Sequence, residues 1–200
     1  MDAWVEVENV LRDIFKRVVS EVLHSDLGKP SLFVNALLGK ISLVNSKAER
    51  LVTTLIGEQS VNIVKPFFII EKTLDPPFHF QGRLKHSPHR LYAVKIVSSP
   101  RAFNSTMRRA VIDAAENYDN PVILTLQGVF NNGHTTMVGK AKWYDAVATW
   151  ALLANDKYGY ARFKKLVYDA AKPYRVQLVS KILSEIDEHK ARQHATSSIH

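Results

Sequence analysis

The apolar residues of this chain change period twice along its length, and that alternation limits the architectures open to it. Val7, Val10, Leu11, Ile14, Phe15, Val18, Val19, Val22 and Leu23 recur at helical spacing. Glu6 and Glu8 stand near the front of the run and Lys16 and Arg17 further along, the order a helix dipole favours. The pattern predicts a helix over 3–24, broken by Gly28-Lys29-Pro30, and a second helix over 31–39 that continues towards 44. Ser46-Lys47-Ala48-Glu49 has the form of a capping box. It opens a helix with Ala48, Leu51, Val52, Leu55 and Ile56 on one face and Gly57 near its end.

The period then shortens. Val61, Ile63, Val64 and the Phe67–Ile70 run are β-branched and aromatic, so 61–72, 77–84 and 90–98 are expected as strands. Asp75-Pro76-Pro77 and His86-Ser87-Pro88 supply turns between them. Asn104 or Ser105 can cap a helix over 105–118. Val122, Ile123, Leu124, Leu126, Val129 and Phe130 follow as a continuous apolar strand, the pattern of a strand buried on both faces. Asn131-Asn132-Gly133 signals a hairpin returning through 134–140. Helical spacing resumes at Trp143, Val147, Trp150, Ala151 and Ala154, then over 158–171 and 174–192.

The expected fold is therefore α/β: a mixed sheet of about four to five strands with one crossover helix, flanked by N-terminal and C-terminal helices. An N-terminal helical segment (1–45), a mixed core (46–141) and a C-terminal helical segment (142–200) are expected within one compact domain.

The chain has no cysteine, which excludes disulfides, thiolate zinc sites and cysteine nucleophiles. No apolar run approaches the ~20 residues of a transmembrane helix. The acidic start (Asp2, Glu6, Glu8) is unlike a secretory signal, so the expected location is inside a cell or a virion.

Charge narrows the function. The formal net charge is +8, and between Asp75 and Asp113 there is no Asp or Glu. That stretch carries Arg83, Lys85, Arg90, Lys95, Arg101, Arg108 and Arg109, with His79, His86 and His89 among them. Cations without neighbouring acids suit a phosphate backbone, where each neutralised phosphate releases a counterion. Phe78, Phe80 and Tyr92 interleave with them and would offer stacking faces if exposed. A solvated basic face is the plainer alternative. The candidate nucleic-acid contacts are Arg83, Lys85, His86, His89, Arg90, Arg101, Arg108 and Arg109. DNA and RNA stay equally open.

From 46 onward the order is helix, three strands, helix, strand, with Asp75 before Pro76 and Lys95 on the third strand. In this the chain resembles the PD-(D/E)XK, or restriction-endonuclease-like, nucleases over about 46–130. The resemblance implies a Mg²⁺-dependent phosphodiester hydrolase in which Asp75 ligates the metal and Lys95 positions the attacking water. The tripeptide acid of that family falls on Ala93, which cannot ligate a metal. Either Glu71 or Glu116 has taken over, with Glu49 or Glu58 as a further carboxylate, or the fold persists without catalysis.

Other groupings carry less. His79, His86 and His89 lack the acids of a metal site. His86, His89, Tyr92 and Lys95 could serve a metal-free ribonuclease. His134-Thr135-Thr136 is similar to half of a two-histidine phosphoesterase motif, but no second copy exists and the segment reads as a hairpin strand. The amphipathic terminal helices could support a homo-oligomer. The alternative to a nucleic-acid-binding, nuclease-like protein is a packaging protein such as a viral nucleocapsid or coat subunit.

Overall fold

The computed structural model of the chain describes residues 2–22 and 46–174. The helices expected at 31–39 and 174–192 lie outside the described residues, save for residue 174. The chain forms two compact units, Met1–Val10 with Thr53–Leu166 and Leu11–Val52 with Val167–His200. Their boundaries fall inside helices, not at 45/46 or 141/142.

The first unit holds the sheet. Helix α1 (Ala3–Val22) and helix α2 (Ser46–Val64) precede β1 (Phe68–Thr73), β2 (Phe80–Leu84) and β3 (Ser87–Val97). Helix α3 (Ser105–Ala115) leads to β4 (Pro121–Thr125), then β5 (Thr135–Val138), β6 (Ala141–Tyr144) and helix α4 (Ala146–Ala154). A further helix, α5, covers 159–174. The sheet order is β1-β2-β3-β4-β6-β5. β1, β2 and β3 are antiparallel neighbours, β3, β4 and β6 run parallel, and β5 closes on β6 antiparallel. The α/β class with α3 as crossover helix is thus the one observed, with six strands among the described residues.

One face of the sheet buries Ala93 and Val97 of β3, Ile123 of β4, Val138 of β5, and Ala141 and Trp143 of β6 against Val111 and Ala115 of α3. On the other, Phe68, Phe80 and Tyr92 meet edge to face at 5.3 and 6.4 Å. Trp150 of α4 stacks on Phe163 at 3.8 Å and on Trp4 at 5.7 Å. Its indole N–H donates to Leu126 O at 3.0 Å, which lets a wholly buried Trp keep its polar atom satisfied. Each such ring contributes roughly 1.5–3 kcal/mol through area removed from water. In the second unit Leu11, Ile14, Phe15, Val18 and Val19 of α1 and Val167, Ala170 and Ala171 of α5 are buried.

Several expected boundaries shift. Residues 61–64 belong to α2, not to a strand. Ile56, Ser60, Ile63 and Val64 are all buried, and their spacing of four, three and one is that of a helix face, so burial outweighs β-branched preference. Pro66 then marks the end in a short 3-10 turn. β4 stops at Thr125 instead of reaching Phe130. The hairpin is not the one expected at 131–133: β4 pairs with β3 and β6, and the hairpin joins β5 to β6. Its turn residues are Gly139, at φ +57, and Lys140. A two-residue hairpin loop needs such positive φ, which glycine adopts without strain. The first residues of the expected 143 helix are accordingly strand β6.

No described helix is long and apolar enough to cross a membrane.

Candidate functional site

β3 is an 11-residue strand, about 33 Å from end to end at ~3.3 Å per residue. It separates the candidate cations into two groups. Arg83, Lys85, His86, His89 and Arg90 surround the β2–β3 hairpin at its start. Lys95 stands near its other end, and Arg101 lies in the 3-10 turn Pro100–Ala102 just beyond. Arg108 and Arg109 follow in the first turns of α3.

The hairpin group is largely engaged by the protein itself. Arg83 bonds Glu71 and donates to Pro88 O at 3.1 Å. Arg90 donates to Asn120 Oδ1 at 2.9 Å and lies over the Tyr92 ring at 5.6 Å. His86 Nε2 donates to Leu152 O at 2.9 Å. Tyr92, Phe78 and Phe80 are buried, so none offers a stacking face. Arg101, Arg108 and Arg109 are exposed, and no ion pair to them forms among the described residues.

Lys95 is the unusual cation. It shares a sheet face with Ala93 and Val97, both core residues. Burial pulls its ammonium below the usual lysine range. Its neighbour is His79, just before β2, whose backbone N–H donates to Val94 O at 2.8 Å. The His79 ring accepts the Ile96 N–H on Nδ1 at 3.0 Å, which leaves Nε2 as the protonated nitrogen of a neutral ring. Burial first, and the Lys95 charge second, lower the His79 pKa to about 4.

Asp75, the expected metal ligand, makes no ion pair with Lys95. It is exposed, in the turn ahead of the cis Pro76–Pro77 bond. The group brought against Lys95 is His79, four residues on. Glu71, one candidate substitute acid, is taken up by Arg83, and Glu116 is exposed beyond the end of α3. No group of three or more His, Asp or Glu side chains that could hold a metal occurs among the described residues. A neutral imidazole, an ammonium and an alanine do not suit Mg²⁺, a hard cation that takes oxygen ligands.

The fold also assembles a second polar cluster, one that sequence reasoning misses. Asp145, immediately after β6, is wholly buried. Its Oδ1 accepts the Ala148 N–H at 3.0 Å, capping α4. Its Oδ2 accepts the Phe130 N–H at 3.2 Å and His134 Nδ1 at 2.8 Å. Tyr160 of α5 approaches the backbone of Gly128. Its phenol is raised by burial and by the Asp145 carboxylate, against the lowering effect of that backbone contact. An aspartate just before the Ala146 helix is a cap signal in the sequence; its partner eleven residues upstream carries no such mark.

Compared with models of known protein families the chain matches none, and no curated protein matches it.

Proposed function

We propose that this chain is a nucleic-acid-binding protein on a restriction-endonuclease-like sheet in which the metal-dependent hydrolytic centre is degenerate. What supports the fold reading is the run helix–β1–β2–β3–α3–β4, with β1 to β3 antiparallel and β4 parallel to β3. The observation that carries the functional reading is Lys95. A half-buried ammonium beside a neutral histidine, with no carboxylate in ion-pair range among the described residues, is a costly arrangement unless an anion meets it. Arg101, Arg108 and Arg109 extend that positive field from the same end of β3.

The experiment is fluorescence anisotropy with duplex DNA, single-stranded DNA and RNA over a salt series, with and without Mg²⁺. Affinity that falls steeply with salt, and no Mg²⁺-dependent cutting, is the expected result. Salt-independent or absent binding to all three sinks the binding reading. Mg²⁺-dependent cutting that disappears in Asp75→Ala restores the metal centre.

A further inference from the structure

We propose that His134 is a general base, oriented by Asp145, that cleaves RNA at the carboxyl ends of β3, β4 and β6; this rests on the nucleic-acid reading above. Asp145 is 0% exposed whereas the His134 side chain is 57% exposed, and their bond is 2.8 Å. The carboxylate is fixed by the Phe130 and Ala148 amides. The Asp145 N–H also donates to His134 O at 3.0 Å, so ring and main chain are both pinned. Because Nδ1 donates, the neutral ring carries its proton there and presents the Nε2 lone pair outward. Nε2 has no hydrogen-bond partner among the described residues. A buried carboxylate holding one nitrogen while the other faces solvent is the arrangement that prepares a histidine to take a proton.

The location fits a ligand. In sheets with parallel strands, ligands settle in the crevice outside the carboxyl ends. Here those ends are Val97, Thr125 and Tyr144. The loops that follow β3 and β4 touch: a Cβ at Gly128 would stand 2.9 Å from Pro100 Cδ. Phe103 and Phe130, from the same two loops, both meet Trp143 edge to face, at 4.9 and 4.7 Å. Arg101 is therefore on the loop that adjoins the His134 segment, where its guanidinium favours an anionic substrate.

No protein hydroxyl bonds Nε2 among the described residues, so the proton it takes comes from outside the chain, and on a nucleic acid the RNA 2′-hydroxyl is a nucleophile already placed beside the phosphate. Nε2 takes the 2′-hydroxyl proton, the O2′–P bond forms and the P–O5′ bond breaks. The leaving O5′ takes a proton from solvent water, and His134 returns its proton to solvent. The products are a 2′,3′-cyclic phosphate and a 5′-hydroxyl, with no co-reactant consumed.

The test incubates the full chain with a labelled RNA oligonucleotide and its DNA counterpart in EDTA, alongside a separate binding measurement. Cyclic-phosphate ends are expected from RNA and no cutting from DNA. His134→Ala removes one bond from the buried Asp145 carboxylate, which the Phe130 and Ala148 amides still hold, so its melting temperature should fall by several degrees at most; assayed below both transitions, cleavage falls at least about 100-fold. Added imidazole should then recover tenfold or more. Asp145 is a positioning residue, read by ¹⁵N shifts of the His134 ring: protonated on Nδ1 in wild type, mixed tautomers in Asp145→Asn. An unchanged tautomer in that variant overturns its role. RNA that binds but stays intact, is cut equally by His134→Ala, or is not rescued by imidazole overturns the inference and leaves the binding reading standing. RNA and DNA that both fail to bind at low salt remove the binding reading itself.

Discussion

His79 lends its ring to the sheet in place of a peptide carbonyl: Nδ1 accepts the Ile96 N–H at 3.0 Å where β2 begins beside β3. The acceptor exists only in the neutral ring, and the adjacent Lys95 charge reinforces that state.

This predicts a stability that depends on acid. The folded pKa of about 4 lies below the ordinary 6.5, so the unfolded chain binds the proton first. Stability from this group is full above about pH 6.5, declines from there to about pH 4 and is then flat. The loss is on the order of 2 kcal/mol once solvent screening of a partly exposed ring is allowed for. Urea unfolding at pH 7 and pH 4.5 measures it. His79→Asn keeps an acceptor without a titrating ring and should flatten the difference; an unchanged pH slope would dismiss the assignment.

Lys95→Met should leave stability unchanged or raise it by up to about 1 kcal/mol, because a half-buried charge with no ion pair costs more than it returns. The His79 midpoint should climb part of the way from about 4 towards 6.5, since burial remains when the cation is gone. An NMR titration of the His79 ring reads this. A static midpoint would mean that the two groups are not coupled.

The polar chain through the buried end of β4 is a stability determinant. Trp143 Nε1 donates to Thr125 Oγ1 at 2.9 Å, and Thr125 N–H donates to Thr149 Oγ1 at 3.0 Å. Thr149→Val removes the acceptor and leaves a buried amide unmatched, a cost of about 1–3 kcal/mol. Thr149→Ser should recover most of it. Equal melting temperatures for Val and wild type would contradict this account.

In nucleic-acid binding the two ends of β3 should differ. Replacing Arg101, Arg108 and Arg109 with Ala is expected to lower the salt slope by up to about 0.7–0.9 for each phosphate left without its cation, with little change in melting. Replacing Arg90 should instead show first in stability, through Asn120, whose Nδ2 also donates to Leu91 O at 3.0 Å. Salt dependence that follows Arg90 and ignores the α3 arginines would reverse the placement.

Strands β2, β3 and β4 and helix α3 are legible in the sequence because each carries a local signature: alternation in 80–84 and a nearly unbroken apolar run in 91–97, a capping Asn104 whose side chain accepts the Met107 N–H at 2.9 Å, a continuous apolar run from Val122; β6 carries none and falls at the start of an expected helix. What escapes is set by tertiary partners. The 61–64 segment reads β-branched, yet its burial is helical. β4 takes β6 as neighbour across an intervening strand, which no local turn signal encodes. The site divides likewise. The acid-free stretch identifies the cations but not which of them the protein itself occupies, as Glu71 does Arg83. The His134–Asp145 pair joins residues from different elements, and only the fold brings them within 2.8 Å.

The length of β3 has one more consequence. Nucleotides along one strand of a duplex are spaced about 3.4 Å apart, so a single polyanion gripping both the β2–β3 hairpin and the Arg101 end would have to bridge about ten of them. Oligonucleotides shorter than that reach one cluster at a time. Because Arg83, His86 and Arg90 are already held by the protein, affinity plotted against oligonucleotide length is expected to level off well short of ten nucleotides; a rise that continues to about ten would bring the hairpin into the proposed interface.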